Sequence, residues 1–192
     1  MRPCPLESVV GVLVWWSQCV ERFNGKSIIL ETLWEKPDAV IATDACLQGG
    51  GGVNWSSQVF FHVQFPKDLA AVHINALELV TLVVAVKLWG ADCHGMRVQV
   101  KCDNSATVEV VNSGRSRDEI MLSWLRELAY WCAWHECQVR AVHISGKSNR
   151  LPDLLSRWDA SPRFREEFRS RIGGAWREVH VDADLFMLSG EW

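Results

Sequence analysis

The sequence predicts a domain of the α/β class, in which strands and helices follow one another along the chain. Short runs at residues 40–42, 58–65 and 96–103 have the composition or the alternation of strands. The run at residues 74–90 has the length, near-continuous apolarity and closing glycine of a buried helix, and residues 118–135 carry an apolar stripe at helical spacing. A length of 192 residues suits one such domain with a substantial core.

Composition and charge narrow the possible functions. The chain is 48% hydrophobic and 22% charged, which indicates a globular protein and not a disordered one. Its net charge of -3 provides no overall attraction to nucleic acid, so any polyanion site has to be a local basic patch. The longest apolar run near the start, VVGVLVWW, is too short to span a membrane. We therefore expect no membrane partner.

The seven cysteines are odd in number and irregularly spaced. A chain of this size does not need disulfides to fold, so we expect free thiols in a reducing, intracellular compartment, the cytoplasm or the nucleus. Cys132, His135 and Cys137 lie close in sequence but lack the paired spacing of a structural zinc site.

Three segments are expected along the chain. Residues 1–36 form a leader or connection segment, with a helix over residues 6–22 that closes at Gly25 and a short extended piece at residues 27–30. Residues 37–158 form the α/β domain. Residues 159–192 form an extension that packs on the domain through the aromatic face of an amphipathic helix, with its arginines outward.

The first motif lies at residues 39–53, where an apolar strand leads into Asp44 and then into four glycines. The glycines, residues 49–52, predict a tight turn or bulge, and residues 58–65 predict the second strand of a hairpin. Asp44 then lies near the end of the first strand. It is either a functional acid or a turn residue that hydrogen-bonds its own loop.

The next two acids follow the same pattern at other elements. Glu78 is the only formal charge between His73 and Lys87 in a helix expected to be buried on most faces. It either forms a capping box with Asn75 or is held in the first turn and directed at Asp44. Asp103 ends the strand at residues 96–103 and is either the N-cap of the next helix or a ligand at the carboxyl end of the sheet.

The fourth acid follows a helix and a further strand. Residues 118–135 predict a helix whose aromatic side chains follow the apolar stripe and so belong to the core more readily than to a base-stacking platform. Residues 138–144 predict a strand, and a polar loop then leads to a helix with Pro152 in its first turn. Asp153 in that turn either complements the helix dipole or joins the other acids.

Four separate elements thus each present a lone carboxylate at an end or a first turn. Carboxylates that converge on one point repel one another unless a hard divalent cation neutralises them, and oxygen ligands select Mg²⁺ or Mn²⁺. Two such ions about 3.5 to 4 Å apart clamp the attacking and leaving oxygens of a phosphoryl displacement. The pattern therefore predicts a metal-dependent nuclease.

The order of motifs resembles the ribonuclease H domain of retroelement reverse transcriptases, especially DIRS-type tyrosine-recombinase elements. The resemblance covers about residues 38–158 and is carried by TDACLQGGGGV, HINALELVTLVVAVKLW, VKCDNSATVEVVNSG and VHISGKSNRLPDLLSR. It implies a ribonuclease H-like fold, a five-stranded mixed sheet with helices on both faces. It also implies cleavage of the RNA strand of RNA/DNA hybrids during reverse transcription, beside an adjoining polymerase domain.

The resemblance further implies a two-metal site, with two Mg²⁺ ions for which Mn²⁺ can substitute. Asp44 would bridge both ions, Glu78 and Asp103 would complete one, and Asp153 the other. His143, ten residues before Asp153, falls on the family histidine, which lies on a mobile loop and assists proton transfer or product release. The alternative interpretation is that His143 is a structural histidine in the core or at the edge of a strand.

Candidate nucleic-acid contacts follow from the same resemblance. They are the backbone from Ala45 to residue 50, together with the side chains of Asn104, Ser105, Lys147, Arg150, Arg115 and Arg117. The chain departs from the family where Cys46 replaces a frequent serine and where no aromatic residue interrupts the glycines. Because the net charge is -3, we expect weak, salt-sensitive affinity for hybrid.

Three alternatives stay open on sequence. The first is another nuclease of the same superfamily, an integrase, transposase or resolvase that acts on DNA strands. The second is a catalytically silent or host-adopted interaction module that keeps the fold. The third is a structural cation site, whose mark would be stabilisation by Mg²⁺ without turnover.

Overall fold

The protein is built on a mixed sheet of six strands. The computed structural model describes residues 6–20 and 36–190, and within them the strand order is β5-β4-β1-β2-β3-β6. Strands β2 and β3 run antiparallel to their neighbours in the β1-β2-β3 meander, and the β1-β4, β4-β5 and β3-β6 pairs are parallel. The strands are β1 Ala39–Ala45, β2 Gly49–Asn54, β3 Val59–Gln64, β4 Arg97–Cys102, β5 Gln138–His143 and β6 Arg177–Glu178.

Helices cover both faces of this sheet, as predicted. They are α1 Leu6–Val20, α2 Ile74–Trp89, α3 Ser105–Ser113, α4 Glu119–Trp134, α5 Arg150–Ser156 and α6 Pro162–Arg171. Adjacent strand residues point to opposite faces. Ile41 and Phe61 accordingly join the core formed with α2 and α4, whereas Ala42 and Phe60 join a second core with α5 and α6. The predicted α/β class is confirmed, and the strand count is six instead of five because two residues of the C-terminal extension add β6 to the edge.

Helix α2 is buried along most of its length, as its apolar sequence predicts. Every residue from Ala76 to Lys87 is buried. Lys87 is satisfied by an ion pair with Glu127 of α4, 2.8 Å away, and by the carbonyl of Met187, 2.6 Å away. Glu127 also accepts hydrogen bonds from the Ser189 backbone and hydroxyl, so the C-terminal extension closes over a buried ion pair.

The four glycines form a strand, so their prediction as a turn or bulge was wrong. The turn is residues 46–48, and Gly49–Asn54 is the buried central strand β2. A Cβ added to Gly50 would meet the Thr81 side chain of α2, and one added to Gly51 would meet Leu155 of α5. The glycines are needed because helices approach the sheet closely from both sides.

The capping alternatives for Glu78 and Asp103 are excluded by the residues that cap the two helices. Helix α2 is capped by His73, whose ring nitrogen accepts from the Asn75 backbone, so Glu78 takes no part in a capping box. Helix α3 is capped by Asn104, whose side chain accepts from the Thr107 backbone, so Asp103 is not the N-cap. The carboxylates of Glu78 and Asp103 therefore do not cap these helices and can make other contacts.

The N-terminal predictions are met in part. Helix α1 packs on α4 through Trp15, whose indole N–H donates to the Arg126 carbonyl over 3.1 Å. The predicted helix end at Gly25 and the extended piece at residues 27–30 lie outside the described residues. No helix in the described part of the chain is both long and apolar enough to cross a membrane.

Candidate active site

Asp44 lies on β1, close to its carboxyl end, and opposite Gly51 of β2. Its side chain is buried and accepts a 2.5 Å hydrogen bond from the Ser156 hydroxyl of α5. Burial raises the pKa of Asp44 to about 7, against the opposing effect of the Ser156 hydrogen bond, and the charges of Asp103 and Asp153 raise it further. Asp44 is therefore directed into a cluster of acids, not into its own loop.

Glu78 lies in the second turn of α2 and points at the same cluster. It is buried and accepts a hydrogen bond from the Ala45 backbone. Burial raises the pKa of Glu78 to about 9, with further contributions from the charges of Asp44 and Asp103. A buried carboxyl group with a raised pKa indicates a site at which a bound cation would stabilise the ionised carboxylate.

Asp103 follows β4 and faces the loop that precedes α5. The Asn149 side chain donates to Asp103 Oδ1 over 3.3 Å and to the Thr43 carbonyl over 2.9 Å. Asn149 is wholly buried, so it fixes the loop against both β1 and Asp103. Sequence analysis missed Asn149, although its position in the polar loop before α5 was a usable signal.

Asp153, in the first turn of α5, is held by two arginines. Arg150 Nη1 lies 2.6 Å and Arg157 Nε 2.7 Å from its carboxylate oxygens. Arg150 also forms a two-bond contact with Glu167 of α6, over 3.0 and 2.6 Å. These ion pairs raise the pKa of both arginines, Arg150 chiefly through Glu167 and Arg157 chiefly through Asp153. The guanidinium of Arg150 is thus engaged in two ion pairs within the protein, and its expected role as a nucleic-acid contact stays a prediction.

His143 is the exposed last residue of β5, not part of a mobile loop as the resemblance implied. Its Nε2 lies 3.2 Å from the Asp103 carbonyl oxygen, so the tautomer with a proton on Nε2 donates there. The structure thus brings His143 to the Asp103 end of the cluster, where its other ring nitrogen remains available.

The other residues expected to contact nucleic acid differ in their exposure and in the hydrogen bonds that they already make. Lys147 and Ser105 are exposed beside the cluster. Asn104 is used as a helix cap and donates to the Asn75 side chain over 2.9 Å. Ala45 is buried, its backbone N–H donates to Glu78, and its contact with nucleic acid stays a prediction.

Cys102 is a site residue that sequence analysis did not single out. It is wholly buried at the end of β4, with Sγ 3.8 Å from Glu78 Oε2. Burial raises the pKa of the Cys102 thiol well above its usual range, and the charge of Glu78 adds to this. Within the described residues, Glu78, Cys102 and Asp103 are the one group whose metal-ligating atoms all lie within 4.8 Å of one another.

The donor set fits a hard divalent cation. Asp44, Glu78 and Asp103 supply carboxylate oxygens, and their burial and mutual repulsion are the conditions that a cation relieves. Asp153 interacts electrostatically with Asp44 but is paired with two arginines. Glu78 and Asp103 therefore form the compact part of the set, Asp44 interacts with both electrostatically, and Asp153 is engaged by two arginines at its edge.

Comparisons with known proteins give structural likeness alone. No protein-family model and no curated protein sequence matches the chain. RNase H1 from the halophilic archaeon Halobacterium salinarum NRC-1 is similar over 64% of this chain and 98% of its own, with 12% identity and a TM-score of 0.49. LC11-RNase H1, isolated from compost by a metagenomic approach, is similar over 61% and 91%, with 18% identity and a TM-score of 0.43.

Proposed function

We propose that the protein is a metal-dependent endonuclease that hydrolyses the RNA strand of RNA/DNA hybrids. The observation that carries this proposal is the convergence of four carboxylates from β1, α2, the end of β4 and α5, two of which have strongly raised pKa values. Such a cluster disfavours its own ionisation and gains stability only when a cation enters. Hard oxygen donors at the carboxyl ends of parallel strands suit phosphodiester chemistry with Mg²⁺ or Mn²⁺.

Each acid has a distinct place in this proposal. Asp44, Glu78 and Asp103 would hold one cation, and Asp44 with Asp153 a second. When bound, the cations supply charge neutralisation at the scissile phosphate and lower the pKa of a water nucleophile. Ser156 fixes the orientation of Asp44, and Asn149 that of Asp103, through the hydrogen bonds described above. His143, at the rim, is positioned to carry a proton or assist product release.

The substrate and setting follow from the sequence resemblance and are proposals of the same kind. Hybrid would be recognised by its shape and by the 2′-hydroxyls of the RNA strand, with Lys147 and Ser105 as exposed contacts. Because the net charge is -3, the domain alone would bind hybrid weakly, and we infer that an adjoining reverse transcriptase polymerase domain holds the substrate inside the cell.

The test is cleavage of a labelled RNA/DNA hybrid at low salt with Mg²⁺ or Mn²⁺, beside RNA/RNA and DNA/DNA duplexes. We expect cutting of the RNA strand of the hybrid only. Asp103→Asn should abolish it, whereas Asp92→Asn, at an exposed acid beyond the far end of α2, should leave it unchanged. Cutting of DNA/DNA would instead identify a DNA-acting nuclease.

A catalytically silent interaction module is the second candidate. The pairing of Asp153 with both Arg150 and Arg157 favours it, because these contacts occupy the carboxylate that a second cation needs. Absence of any cleavage by the folded protein, even with Mn²⁺ and a supplied polymerase domain, would support this candidate and refute the nuclease.

A further inference from the structure

One wall of the candidate active site contains sulfur. Cys102 Sγ, a Glu78 oxygen and an Asp103 oxygen lie within 4.8 Å of one another, and Cys102 and Glu78 are buried. Mg²⁺ does not favour a thiol ligand, since it selects oxygen ligands. A thiolate ligand instead favours Zn²⁺ and related cations, which also accept carboxylate oxygens.

The spacing of these atoms agrees with coordination of one ion. A tetrahedral Zn²⁺ with a metal–sulfur bond of about 2.3 Å and a metal–oxygen bond of about 2.1 Å places the two ligands roughly 3.6 Å apart. The measured distance from Cys102 Sγ to Glu78 Oε2 is 3.8 Å. Binding therefore needs only small side-chain adjustments of the sulfur and the two carboxylates.

Two further observations at the same place favour a bound cation. The Asn104 backbone N–H points at Cys102 Sγ over 3.4 Å and would stabilise a thiolate there. Asn149 is wholly buried against Asp103, yet its Oδ1 accepts no hydrogen bond from any described residue. This buried oxygen belongs to a side chain that contacts Asp103, and it is satisfied by a water or an ion that is not part of the chain.

We propose that Glu78, Cys102 and Asp103 form a mixed sulfur and oxygen site that binds a thiophilic divalent cation, Zn²⁺ or Cd²⁺, in place of Mg²⁺. As the metal–sulfur bond forms, the thiol proton leaves to solvent. The inference rests on the proposed function for its biological meaning, because a thiophilic cation held by Glu78 and Asp103 would exclude the catalytic ion. Zn²⁺ would then inhibit hybrid cleavage by competing with Mg²⁺.

The experiment is a titration of the full chain with Cd²⁺ alone, followed by the ultraviolet absorbance of sulfur-to-cadmium charge transfer. Cys102→Ser and Cys102→Ala provide two replacements, each checked for folding by circular dichroism. Cys132 and Cys137 lie side by side in the structure and can bind Cd²⁺ themselves. Cys132→Ser therefore serves as the matched control, and the quantity of interest is the difference between the wild type and each variant.

We expect a charge-transfer component that is present in the wild type and in Cys132→Ser but missing from both Cys102 variants. Loss of a contact that only supports a metal ligand weakens metal binding about tenfold or more. Glu78 is itself a ligand in this proposal, so Glu78→Gln should raise the apparent dissociation constant for Cd²⁺ by at least about tenfold. Excess Mg²⁺ should shift the Cd²⁺ titration to higher concentrations.

Identical Cd²⁺ spectra for the wild type and both folded Cys102 variants would overturn the proposal. So would a Cys102 signal that is unaffected by Glu78→Gln and by Mg²⁺. Failure of the proposed function has a different signature, since a protein that binds Cd²⁺ through Cys102 but cuts no nucleic acid would refute only the nuclease. Hybrid cleavage with Mg²⁺ and no Cys102-dependent spectrum would refute only the thiophilic site.

Discussion

Replacing Glu78 with glutamine should stabilise the metal-free protein, although Glu78 lies in the core. Its pKa is raised from 4.5 to about 9 in the folded state, so the folded state keeps a proton that the unfolded chain has lost. Folding stability therefore falls as the pH rises from about 4.5 towards about 9. A pH of 7 lies about 2.5 units above the ordinary pKa of 4.5. The wild type has therefore lost about 3 kcal/mol of folding stability at pH 7, since one unit is about 1.4 kcal/mol. Glutamine is neutral at every pH, so the variant folds without taking up a proton and avoids this loss of stability.

The measurement is urea unfolding in the presence of a chelator at several pH values. Glu78→Gln should exceed the wild type by about 3 kcal/mol at pH 7 and by much less near pH 4.5. Glu109→Gln, the same change at an exposed position of α3, should alter the free energy of unfolding by less than about 0.5 kcal/mol at any pH. A Glu78→Gln protein that is less stable than the wild type at pH 7, or whose gain does not depend on pH, would refute the argument.

Three further substitutions test other parts of the structure. Gly51→Ala should lower the free energy of unfolding by about 1 to 3 kcal/mol in urea, because its Cβ would collide with Leu155; an unchanged value would contradict the close approach of α5. Glu127→Gln should lower it by about 3 to 5 kcal/mol by leaving Lys87 buried without its partner. Arg157→Gln should tighten Mg²⁺ binding severalfold in calorimetry, and weaker binding would show that Arg157 does not compete for Asp153.

The sequence was sufficient for the elements that carry the acids. Each of the four acids, Asp44, Glu78, Asp103 and Asp153, lies near an end of a strand or helix that the sequence pattern indicates, so their placement followed from the placement of these elements. The alternation of β4 and the continuous apolarity of α2 correspond to a half-buried strand and a buried helix. These features depend on local pattern alone.

The features that the sequence did not predict depend on contacts between distant residues. The glycines of β2 indicate a turn when considered locally, and only the approach of Thr81 and Leu155 explains why a strand lacks side chains there. The pairing of Asp153 in α5 with Arg157 at the C-cap of the same helix was missed, because basic residues in loops and helix ends are usually solvated. The burial of Glu127 in α4 likewise depends on its pairing with Lys87 of α2, 40 residues away in sequence.

The contact between the C-terminal extension and the buried ion pair has a consequence for how the chain folds during synthesis. Lys87 and Glu127 lie in the middle of the sequence, but their last partners are the Met187 carbonyl and the Ser189 backbone and hydroxyl. Until those residues leave the ribosome, two buried charges lack part of their hydrogen bonding. The nascent protein therefore reaches its final core only after translation has passed residue 189, and until then α2 and α4 present surface that a chaperone can bind.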